Sequence, residues 1–78
     1  MTQREKLIER LSRGEPKSAL ADVRLLLEQH GWRLARQRGS HANFTKIGER
    51  PITFPISGGR WVKRPYVTLL LRRIGSEE

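Results

Sequence analysis

Residues 36–41 read Arg-Gln-Arg-Gly-Ser-His: two arginines, a glycine–serine turn and a histidine within six positions. Histidine is the side chain whose ordinary pKa lies closest to neutral pH, so it can take or give a proton there. Guanidinium groups hold phosphate in a bidentate fork and can stabilise charge that develops on it. RNA strand cleavage needs little more. The ribose 2′-hydroxyl is itself the nucleophile, and the protein supplies a proton acceptor, an acid and cations. On this chemistry the candidate set is His41 as proton carrier, with Gly39 and Ser40 positioning it. Arg36, Arg38, Lys46, Lys63 and Arg64 are candidate phosphate contacts. A strand histidine in a basic domain also reads as an ordinary solvated or binding residue, and Lys63-Arg64 as a solvated helix start.

Other chemistries find less support. There is no cysteine, and Asp22, Glu28 and Glu49 lack ligand spacing, so neither a zinc nor a magnesium site is expected. Gly58-Gly59 lacks the lysine of a phosphate loop, and no cofactor is expected. His30 falls in the last turn of a helix, where a structural role at the free carbonyls is expected. Trp61 could stack on an unpaired base, or pack over the sheet edge or at a protein interface.

Sixteen Lys and Arg oppose eight Asp and Glu in 78 residues, a formal charge of +8. Such a chain attracts polyanions, so nucleic acid, an acidic protein or both are the expected partners. A single small domain is expected at this length. The absence of cysteine fits a reducing cytoplasm. No apolar run approaches the about 20 residues needed to span a bilayer. The first residues lead into an amphipathic segment, unlike a secretory leader.

Thr2 and Glu5 have capping-box spacing ahead of a Leu7, Ile8, Leu11 stripe, and Gly14 and Pro16 stop this helix. Ser18 is the expected N-cap of a second helix with Leu20, Val23, Leu26 and Leu27 on one face, closed by Gly31. A strand follows from Trp32, with Trp32 and Leu34 facing away from Arg33, Ala35 and Gln37. His41 to Ile47 makes the next strand, with Ala42 and Phe44 on one face and His41, Asn43 and Thr45 on the other. Ile52, Phe54 and Ile56 mark the inward face of a third, which Pro55 places at an edge or at its end. Tyr66, Val67, Leu70, Leu71 and Ile74 line a closing helix that starts near Pro65 and ends at Gly75. The order implies an α+β domain with helices on one face of a small antiparallel sheet.

From Leu20 to Gly75 the chain resembles the HicA-type, or YcfA-like, mRNA interferase toxins. The resemblance rests on the leucine-rich helix ending in Gly31-Trp32, on Arg36-Gln37-Arg38-Gly39-Ser40-His41, and on the Pro55 strand leading to a helix from Val62-Lys63 to Ile74. It implies a double-stranded-RNA-binding-domain-like fold: helix, three-stranded antiparallel sheet, helix. Residues 17–78 would form that domain, with residues 1–16 as a helical extension. It also implies cleavage of mRNA in the cytoplasm, His41 as the catalytic histidine, and a HicB-type antitoxin as partner. Many members carry a second histidine just after the third-strand proline, where this chain has Ser57. The general acid would then be water, a lysine, or His41 recycled. A non-catalytic RNA-binding module of the same fold is the alternative. A third reading is an interaction subunit whose basic face docks an acidic antitoxin.

Overall fold

Thr2 and Glu5 cap each other's backbone: the Thr2 hydroxyl accepts from the Glu5 N–H, and the Glu5 carboxylate accepts from that of Thr2. They open α1 (Gln3–Leu11) in the computed structural model, which describes residues 2–77. The chain continues through β1 (Lys17–Ala19), α2 (Leu20–Gln29), β2 (Arg33–Arg38), β3 (His41–Thr45), β4 (Ile52–Pro55), β5 (Trp61–Lys63) and α3 (Arg64–Glu77). The fold is the expected α+β arrangement: a helix ahead of a helix, a three-stranded antiparallel sheet in the order β2-β3-β4, and a closing helix.

A second, two-stranded sheet joins β1 to β5 and changes two local assignments. Ser18 is not a helix cap; it pairs with Val62 in this sheet, and Ala19 precedes α2 with no side-chain cap. The Leu20 N–H instead donates to the Arg60 carbonyl at 2.8 Å, so the free helix end is satisfied across the chain. Val62 and Lys63 belong to β5 rather than to the closing helix. That helix also passes through Gly75 to Glu77, because Gly75 keeps a negative φ and so does not cap it. Gly31, at φ +87°, does end α2, and His30 Nδ1 lies 3.0 Å from the Leu26 carbonyl as its position implies. The strand from His41 is shorter than its sequence pattern, ending at Thr45.

One core joins every layer. Leu7 and Leu11 of α1, Val23, Leu26 and Leu27 of α2, and Val67, Leu70 and Ile74 of α3 bury against Ala42, Phe44 and Phe54. Phe44 and Phe54 stack with ring centroids 5.6 Å apart. The N-terminal helix is held from outside as well: Arg10 pairs with Asp22, and Arg64 Nη1 donates to the Leu11 carbonyl at 2.6 Å. Arg73 ties α3 to the turn before β4, through the Arg50 carbonyl at 2.8 Å and the Glu49 carboxylate at 3.7 Å. The sheet therefore turns one face to the helices and leaves the other open.

Candidate nucleic-acid interface and active site

The β2–β3 hairpin is what presents His41. Gly39 has φ +56° and Ser40 does not have a positive φ, the pattern of a two-residue type II′ turn closed by the Arg38–His41 pair. An added Cβ at Gly39 meets nothing within 4 Å, so the demand there is on the backbone alone. Gly39→Ala should cost about 1–3 kcal/mol, because a side chain at this positive φ is strained. At roughly 4–8 °C per kcal/mol for a domain of this size, calorimetry should show a clear fall in Tm.

Regular alternation would put Arg36 and Arg38 on the Leu34 face, toward the core. A bulge prevents this. The register shifts between Leu34 and Arg36, leaving Ala35 as the extra residue. Beyond it, Arg36 pairs with Asn43, Gln37 with Ala42 and Arg38 with His41. Gln37 thus comes into register with buried Ala42, not into the outward row with Arg33 that simple alternation predicts. Arg36 and Arg38 do share a face, and it is the face of His41. Arg33, opposite Thr45, joins them across the bulge, and Thr53 and Pro55 of β4 complete the surface.

Among the described residues, this outward face carries three arginines and no carboxylate. Arg33, Arg36, Arg38 and His41 are exposed, and among the described residues none of them makes a side-chain ion pair or hydrogen bond. Both His41 ring nitrogens are therefore open to a ligand. Asn43 donates to the Thr53 hydroxyl at 2.9 Å, bracing the middle of the face. The Ser40 carbonyl accepts from the Ile56 N–H, so the loop after β4 starts beside the His41 turn. Ser57 bridges to Trp61 in that loop, with Arg60 exposed near its tip.

The remaining candidates lie elsewhere. Lys46 follows β3 at its far end, about 17 Å from His41 by strand rise, with its stem against Gly31. Lys63 is exposed in the two-stranded sheet, opposite Lys17. Arg64 is half-buried and engaged with α1. Trp61 is half-buried, with the Lys17 ammonium 4.4 Å from its ring centroid. Arg33 and Arg60 are the cations that sequence reading passed over. For Arg33 the missing signal was the bulge, which nothing in the residue types at 34–36 marks.

The family model described as HicA toxin of bacterial toxin-antitoxin matches residues 21–75. The chain belongs to the HicA toxin family. The match runs from the first turn of α2 into α3 and takes in the whole three-stranded sheet with His41, while α1 lies outside it. Among curated proteins and among solved structures, nothing matches. Membership makes this chain the toxin type of component of a toxin–antitoxin pair. Among the described residues, no helix of this HicA-family protein is long and apolar enough to cross a membrane.

Proposed function

We propose that this HicA-family toxin is an endoribonuclease that cleaves mRNA in the cytoplasm, without a metal ion, using His41 as its single catalytic histidine. The observation that carries the reading is His41 itself, solvent-open and, among the described residues, unpaired on a face with Arg33, Arg36 and Arg38 and no acid. RNA phosphates lie on Arg36 and Arg38, with Arg33 continuing the row; Lys46 and Lys63 make outlying contacts. Arg64, bonded to the Leu11 carbonyl, serves the docking of α1. Residues 17–78 form the RNA-cleaving unit and residues 1–16 its extension. A HicB-type antitoxin neutralises it.

In the reaction, a His41 ring nitrogen takes the 2′-hydroxyl proton as O2′ attacks the adjacent phosphorus. The arginines stabilise the charge gathering on the non-bridging oxygens. The bond to the 5′-oxygen breaks, that oxygen is protonated by water, and a 2′,3′-cyclic phosphate remains. Ser57, at the end of the sheet near the Ser40 turn, holds the place of a second histidine without its acid strength.

The purified chain should cut single-stranded RNA equally well with and without EDTA. Loss of cleavage on chelation would remove the metal-free mechanism. A non-catalytic RNA-binding module is the competing reading, favoured by the lack, among the described residues, of any group hydrogen-bonded to the His41 ring. It predicts salt-sensitive RNA retention with no cleavage at any protein concentration.

A further inference from the structure

The two free edges of the three-stranded sheet are chemically unequal. The bond from the Ile56 N–H to the Ser40 carbonyl makes residues 40 and 56 a hydrogen-bonded pair. Alternation along the antiparallel ladder then makes Ala42–Phe54 and Phe44–Ile52 hydrogen-bonded pairs as well. Thr53 and Pro55 consequently turn their backbone groups toward the open β4 edge, with Pro51 just before the strand. Proline has no N–H, so Thr53 alone offers a donor along that edge. The β4 edge is the poorer template for strand addition.

The β2 edge is the better one. By the same alternation His41, Asn43 and Thr45 bond toward β2, engaging Arg38, Arg36 and Arg33. The Gln37 N–H and C=O then face outward, and Ala35, the bulged residue, has no register partner on β3. Ala35 and Gln37 are exposed, and no proline interrupts β2. On this edge Arg36 and Arg38 would oppose an added antiparallel strand in non-hydrogen-bonded pairs, the geometry in which facing side chains come closest.

We propose that the β2 edge accepts an extended segment of an acidic protein partner, paired antiparallel, in which carboxylates alternate with uncharged residues. The carboxylates fall opposite Arg36 and Arg38, and the uncharged residue between them exchanges backbone hydrogen bonds with Gln37. A net charge of +8 on each chain opposes the same pairing between two copies. Resting on the RNA-cleaving role proposed above, such a strand is also an inhibitor, because its carboxylates cover the arginines that hold phosphate.

Amide NMR titration of the full chain with a short capped peptide alternating glutamate with valine tests this. Two controls of equal charge carry N-methyl groups, one on the valine amides and one on the glutamate amides. The unmodified and glutamate-methylated peptides should bind alike and shift the Gln37 amide. The valine-methylated peptide should bind about tenfold more weakly, because the methyl removes the N–H bond to the Gln37 carbonyl and crowds the paired strand. Equal binding by all three, shifts centred on β4 or α3, or no binding would overturn the proposal. RNA binding at the β2 edge itself, seen as Gln37 shifts with RNA that the peptide does not compete, would overturn it too. Gln37→Pro should keep RNA cleavage and escape inhibition by the peptide; continued inhibition of a folded variant counts against the edge. If the wild type cleaves no RNA, the functional reading fails while the titration still decides the edge.

Discussion

Replacing His41 by alanine is expected to lower RNA cleavage by at least about 10²-fold, the lower end of what a positioned acid–base group supplies. Growth arrest on induced expression should disappear with it. The fold should survive intact. His41 is exposed at the first position of β3 and makes no side-chain hydrogen bond or ion pair among the described residues, so deleting the ring leaves neither a cavity nor an unpaired group. Surface changes of this kind usually stay within about 0.5 kcal/mol. Matching melting curves and intact RNA together would assign the lost activity to chemistry. Undiminished cleavage by the variant would mean that the proton carrier lies elsewhere, and the arginine face would then be a binding surface only.

The second large effect concerns stability. Phe44 is fully buried, stacks on Phe54, and sits where the sheet meets the helices. Phe44→Ala should cost about 3–5 kcal/mol through lost burial and the cavity left behind. The lost ring pair adds roughly 0.5–1.5 kcal/mol. A chain of 78 residues has only about 4–12 kcal/mol of total stability at the usual value per residue. The variant should therefore melt some 15–30 °C lower or be unfolded at growth temperature, read by circular dichroism. A fall of less than about 5 °C would mean that the core tolerates the loss by collapse, contrary to a core in which Phe44 joins the sheet to all three helices.

Most of the architecture follows from local chemistry, which is why it was legible. Thr2 with Glu5, the Leu26–Leu27 face, Gly31 and the alternation around Ala42 and Phe44 each make a demand that only one element type meets. Two features depend on partners distant in the chain. The pairing of Lys17–Ala19 with Trp61–Lys63 joins segments over forty residues apart, and three-residue strands carry too little alternation to announce themselves. Ser18 therefore looks like a helix cap until Val62 is beside it. Gly75 looks like a stop because glycine permits a left-handed turn, yet nothing obliges it to make one.

The site divides in the same way. Gly39-Ser40-His41 was readable because a two-residue turn fixes where the next side chain points. The arginine row was not, since the Ala35 bulge reverses the facing of everything after it and brings Arg33, Arg36 and Arg38 together. Arg64 shows the opposite case: a cation that sequence places among phosphate contacts holds a helix carbonyl instead.

The central claim is that His41 activates the substrate's own 2′-hydroxyl. Its most direct test maps the cleavage site on a short RNA, then replaces the nucleotide 5′ to the cut bond with its 2′-deoxy form. The account predicts that cleavage at that bond ceases while binding is unchanged, and that the unmodified RNA yields a 2′,3′-cyclic phosphate end. Continued cleavage of the deoxy substrate, or a 5′-phosphate product end, would contradict it.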